Sequence, residues 1–146
     1  MNSDYASDYQ AWLAQTARLI REGRWQELDA EHLAEEVEDL GKSERRGIAS
    51  QLIRLLVHLL KWRHQPERRS DSWRDSIADA RLQIQLALED SPSLRPYPAE
   101  QLATCYRKAR RAAAKQTGLA PERFPDSCPF MLADMLSEDW LPEAAD

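Results

Sequence analysis

Leu33, Val37, Leu40, Ile48, Leu52, Leu55, Leu56 and Leu59 keep to helical spacing along the chain until Trp62. Apolar residues in that rhythm form the buried stripe of an amphipathic helix. Gly41 and Gly47 weaken its middle, since each costs about 1 kcal/mol relative to Ala inside a helix. The stretch reads as one long helix; the alternative is two helices joined by a kink near Gly41. Gln65-Pro66 ends it, because the residue before a proline is driven out of helical geometry.

The same period returns on both sides. Tyr9, Trp12, Leu13, Thr16, Leu19 and Ile20 predict a first helix over about 5–22, with Gly23 where it would stop. Asp29 suits the N-cap of the long helix. Ser70 or Ser72 can cap a third helix over about 72–90, with Trp73, Ile77, Ala80, Ile84 and Leu88 on one face. SPSLRPYP (91–98) is a connector, and Pro98 suits a first helical position. A fourth helix runs to about Thr117, with Leu102, Tyr106, Ala109 and Ala113 inward and Gly118 closing it. The proline-broken tail allows a short helix over about 129–137. Nothing reads as a strand. The expected fold is all-α: one domain over 1–146, core about 5–142, a bundle of four main helices and a short C-terminal one.

A chain of 146 residues fits one domain and buries a core without staples. The opening MNSDYASDYQ is acidic and unlike a signal peptide. The most apolar run, LIRLLVHLL (52–60), is too short to span a bilayer. These features lead us to expect a soluble, cytoplasmic chain with no membrane partner. Cys105 and Cys128 form no CxxC pair and are read as reduced thiols, Cys105 in the core and Cys128 ahead of a helix.

Charge is unevenly spread. Residues 1–44 carry a net of -7, residues 45–115 a net of +8, and residues 116–146 a net of -6. Either the acidic ends neutralise the basic middle, or the middle faces an anion. The stretch HLLKWRHQPERRSDSWR (58–74) concentrates the question. Lys61, Arg63, Arg68, Arg69 and Arg74 stand there against Glu67 and Asp71, with His58, His64, Trp62 and Trp73 between them. As a helix corner it would set Lys61 and Arg63 against a helix C-terminus, which favours cations. As a ligand site it would offer guanidinium forks to phosphate or carboxylate.

Three sets of residues have chemistry in their spacing. Arg54 and His58, four apart, pair a fixed cation with a general acid or base, and Glu36 of the acidic stretch is a further candidate catalytic group. His32, Glu35 and Asp39 share a helix face and are weak candidate metal ligands, the favoured alternative being a solvated face with Glu38 reaching Lys42. Arg107, Lys108, Arg110, Arg111 and Lys115 form a second basic cluster, a weak nucleic-acid signal without interleaved aromatics. No phosphate loop, zinc spacing, nucleophile elbow or dinucleotide fingerprint occurs, so the sequence requires no cofactor.

EEVEDLGKSERR (35–46) and LLVHLLKWRHQPERRSDSWR (55–74), with the continuation to Arg81, resemble the bacterial domain-of-unknown-function family 29. YQAWLAQTARLIREGRWQELDAEHLAEEVED and TGLAPERFPDSCPF agree, so the likeness covers roughly 5–142. The resemblance implies a bacterial, intracellular helical protein and carries no activity. It singles out Glu35, Glu36, Glu38, Asp39, Gly41, His58, Trp62, Pro66, Arg69, Ser70, Trp73 and Arg81. A second likeness is to the HEPN-type ribonucleases, which set an Arg and a His several residues apart on one helix. Arg54-Leu-Leu-Val-His58 has three residues between them, shorter than that family's spacing. Two functions follow as expectations. One is an interaction module for a protein partner or a second copy; the other is an RNA-directed or metal-assisted hydrolase using His58, Arg54 and the acidic stretch 35–39.

Overall fold

The computed structural model describes residues 5–146; the first four residues of the acidic opening lie outside it. Five helices follow one another: α1 (Tyr9–Arg21), α2 (Ala30–His64), α3 (Asp71–Asp90), α4 (Tyr97–Thr117) and α5 (Leu132–Met135). No strand occurs among the described residues, so the chain is all-α, with four main helices and one short helix near its C-terminus. The contacts gather into two compact units, a first ending at Ser43 and a second, Glu44–Asp146.

In the first unit α1 starts later than the sequence suggests. Asp8 takes the N-cap, its carboxylate accepting from the Ala11 amide at 3.1 Å, and Tyr5–Ser7 form a turn outside the helix. The predicted stop holds: Gly23 has φ +71°. Its amide donates to the Ile20 carbonyl and that of Arg24 to Leu19, a Schellman closure that only a left-handed residue completes without strain. A 3₁₀ turn over Trp25–Glu27 follows, and Asp29 caps α2 by accepting from the His32 amide at 3.3 Å. Trp12, Thr16 and Leu19 are the buried residues of α1.

Helix α2 is one uninterrupted helix of 35 residues, with no break at Gly41. From Ile48 onward its apolar stripe is buried: Leu52, Leu55, Leu56, Leu59 and Leu60 are fully buried. They pack with Ile77, Ala80 and Ile84 of α3, Tyr106, Ala109 and Ala113 of α4, and Phe124, Phe130 and Met135 of the C-terminal segment. Ser70 caps α3 by accepting from the Trp73 amide. Pro98 sits in the first turn of α4, and Gly118, with φ +75°, closes that helix. Pro66, Pro92 and Pro121 each open a 3₁₀ turn at a connector. The C-terminal helix is one turn rather than the expected span over 129–137, because Met131 is extended. Beyond it the chain runs on without helix, and its Ala145 amide donates to the Arg63 carbonyl at the end of α2.

Candidate functional site

Arg54 and His58 do meet, but through the backbone. The half-buried His58 ring sets Nδ1 2.8 Å from the Arg54 carbonyl, where a protonated Nδ1 donates and leaves Nε2 as the acceptor. Burial lowers the imidazole's pKa, opposed by that hydrogen bond and reinforced by Lys61 and Arg54. The fold therefore favours the neutral ring. The Arg54 guanidinium is committed to an anion of the chain itself: Nη1 lies 2.6 Å from Oδ2 of Asp79 on α3 and donates also to Gln51. Asp79 is held below its ordinary pKa by Arg54 and then by Gln83.

At the corner the cations are spent on rings and carbonyls. Trp62 is buried, with the Arg69 guanidinium 4.8 Å from its ring centre and that of Arg74 at 5.2 Å. Arg69 Nε donates to the Trp62 carbonyl at 2.9 Å, satisfying one of the orphan acceptors at the end of α2. Lys61 lies over Trp73 at 5.1 Å and donates to Gln116, and Arg63 faces Phe130 at 6.0 Å. Each such cation–ring contact contributes about 0.5–1 kcal/mol at a surface. Pro66, Glu67 and Arg68 are exposed. Among the described residues Arg63 Nε, His64 Nε2 and Arg69 Nη2 are buried without a hydrogen-bond partner, a cost that the ring contacts help offset.

The acidic stretch belongs to the first unit, where its members part company. Glu36 accepts from the hydroxyls of both Tyr5 and Tyr9, one to each carboxylate oxygen. Those bonds hold Glu36 below its ordinary pKa and push Tyr5 up to about 12. Tyr5 stacks on His32 at 4.3 Å and meets Trp12 edge-on at 4.8 Å, and His32 Nδ1 lies 2.5 Å from Asp29. Glu35 and Asp39 are exposed. Among the described residues no group of three His, Cys, Asp or Glu side chains is placed to hold a metal ion. Glu36, a candidate catalytic group in the sequence, is the acceptor of a tyrosine pair. Hydroxyl-bearing rings at positions 5 and 9, one helical turn apart, were the readable sign.

Arg81, known beforehand only through the family likeness, is the buried cation of the second unit. Its Nε donates to the Met135 carbonyl at 2.7 Å, Nη1 to Glu138 at 3.0 Å and Nη2 to Trp140 at 2.5 Å. One guanidinium thus ties α3 to the C-terminal segment. An open groove of about 320 Å³ beside it is lined by Ile84, Gln85, Leu88, Arg95 and Leu136. On α4, Arg110 reaches the Phe124 carbonyl and Asp126, while Arg107, Lys108, Arg111 and Lys115 are exposed.

The middle of α2 is different from both of its ends. Between Val37 and Gly47 every residue is exposed except Gly41 and Arg45, which are partly so. Val37 is 61% and Leu40 73% exposed, although both belong to the apolar stripe. A Cβ placed on Gly47 would meet nothing within 4 Å. Periodicity alone could not reveal this, because it marks which side of a helix is apolar and not what covers it.

These features define an all-helical protein whose basic corner, buried arginine and tyrosine-bound carboxylate are each engaged by the chain's own groups. The chain belongs to the family described as Domain of unknown function DUF29, whose model matches residues 5–141. No curated protein and no solved structure matches it. Among the described residues no helix is long and apolar enough to cross a membrane.

Proposed function

We propose that this chain is a helical interaction module that binds a protein partner or a second copy of itself. The exposure of Val37 and Leu40 on α2 carries this reading. Lone surface apolar residues are ordinary, but here two lie one turn apart on a helical stretch with two glycines. Such a stretch has weak intrinsic propensity and gains nothing from burial, so a partner that covers it stabilises it. The setting we propose is the bacterial cytoplasm, in keeping with Cys105 and Cys128 as free thiols.

A photo-crosslinking residue at position 40, introduced in the host cell, tests the reading. A covalent adduct is expected there and not from the same probe at exposed Glu122. No adduct at position 40 would overturn it.

The hydrolytic alternative draws on one observation: His58 Nδ1 lies on the Arg54 carbonyl, which leaves Nε2 to accept a proton. It would use His58 and Arg54 on RNA. Incubation of mixed RNA with Mg²⁺ or Mn²⁺ decides this. Cleavage by the wild type that disappears in His58→Ala, with helicity intact, would replace the interaction reading.

A further inference from the structure

Helix α4 carries the cations Arg107, Lys108, Arg110, Arg111 and Lys115, and its one carboxylate, Glu100, lies in its first turn. At about 100° per residue, Arg107, Lys108, Arg111 and Lys115 fall within an arc of about 100°. That arc is opposite the buried Tyr106, Ala109 and Ala113. All four side chains are exposed, and no carboxylate stands within ion-pair distance of any of them among the described residues. Arg107 has one weak bond, to the Thr104 hydroxyl at 3.4 Å. Arg110 lies at the edge of the arc, where it reaches the Phe124 carbonyl and Asp126. Between the arc and the segment after Gly118 runs an open groove of about 310 Å³, lined by Arg107, Arg110, Arg111, Ala114, Pro121 and Asp126.

A helix dipole favours cations in the last turn, which accounts for Lys115 and leaves the other cations unexplained. Arg107 and Arg111, Lys108 and Arg111, and Arg111 and Lys115 are like charges three or four residues apart, which repel on a helix surface. A solvated face ordinarily relieves such repulsion by alternating its signs. This one does not. From the unrelieved stripe we infer that the outer face of α4 binds the phosphates of a nucleic-acid duplex, without reading its sequence. The stripe shares no residue with the interaction reading above, and either can fail alone.

The composition of the face selects that partner. The arc holds no aromatic or large apolar side chain. A membrane surface needs an apolar face to insert, a protein partner needs a buried anchor, and single-stranded bases need rings to stack on. A duplex backbone needs none of these, because its affinity comes from neutralised phosphates and released counterions. Size agrees as well. Arg107 to Lys115 spans about 12 Å along the helix, over which one strand presents about three or four phosphates. Around the groove, Arg107, Arg110 and Arg111 offer guanidinium forks that grip phosphate oxygens in pairs. Asp126, the carboxylate of the groove, is already paired with Arg110. Exposed charges more than about 10 Å away are largely screened by salt, so the local stripe outweighs the chain's net charge of -5.

Fluorescence anisotropy of a labelled DNA duplex of mixed sequence, titrated with the full chain, tests this. The wild type is expected to bind in the micromolar range at low salt, with a log–log salt slope of about -3. Arg107→Gln with Arg111→Gln is expected to weaken binding about tenfold and make the slope shallower by about two. Arg21→Gln with Arg46→Gln removes the same charge from exposed sites outside α4 and is expected to leave both quantities nearly unchanged. Far-UV circular dichroism checks that each variant keeps its helices. A wild type that does not bind at low salt overturns the proposal. So does undiminished binding by the α4 variant, or an equal loss in both variants, which would mean net charge alone. Tighter binding of the separated single strand, or displacement of the duplex by phosphatidylserine vesicles, would overturn the duplex as the partner.

Discussion

At the scale of single residues, the buried arginine matters most. Arg81 supplies charge-assisted hydrogen bonds to three carbonyls, and truncating it strands acceptors that water does not reach freely. Arg81→Met is expected to cost about 3 kcal/mol or more, read from the urea midpoint with an unchanged slope. The histidines give a pH signature. Burial lowers both His58 and His64, the latter with help from Arg63 and Arg123, so the fold prefers both rings neutral. As pH drops below the unfolded value of about 6.5, the unfolded chain takes up protons that the fold resists, and stability falls. Urea midpoints should therefore drop between pH 7 and pH 5.5, above the range where Asp79 and Glu36 protonate. His58→Gln combined with His64→Gln should flatten that slope. None of this was legible residue by residue. Arg54 and His58 were correctly read as neighbours, yet which group an arginine binds depends on what tertiary structure brings to it. Asp79, twenty-five residues away, carried no mark of being its partner.

Elements were far easier to read than sites, because caps and periods are local. Asp29, Ser70, Gly23 and Gly118 stand at helix ends as their chemistry requires, and α2 is unbroken. The errors were local as well: Asp8 displaced the start of α1, and an extended Met131 shortened the last helix. Two glycines make opposite predictions. Gly47 is helical with open space where a side chain would go, so Gly47→Ala should add about 1 kcal/mol to the monomer's stability. Gly118 has φ +75°, and Gly118→Ala should lose about 1 kcal/mol or more through left-handed strain. Thermal melts of the two variants at a concentration that keeps the chain monomeric would compare the signs directly. Ser70→Ala, which removes the cap of α3, should cost about 1 kcal/mol in the same assay.

For the molecule as a whole, the exposed middle of α2 shows the limit of reading composition. Net charges by region left open whether acidic ends neutralise a basic middle or the middle faces an anion; Lys61, Arg63, Arg69 and Arg74 of the corner meet rings and carbonyls of their own unit, and Arg68 is exposed. The coupling between α3 and the C-terminal segment can be measured as a cycle. In a chain ending at Leu136, two of Arg81's three carbonyl acceptors are gone, so most of the cost of Arg81→Met should vanish. Full additivity of the truncation and the substitution would show that the guanidinium does not act through that segment. The same clamp bears on how this family can drift. Arg81 grips main-chain oxygens, which every amino acid carries, so it fixes the path of residues 135–140 without dictating their spelling. The exposed Glu138 side chain can change over generations without touching the clamp, whereas the single letter at position 81 answers for the route of residues 135–140.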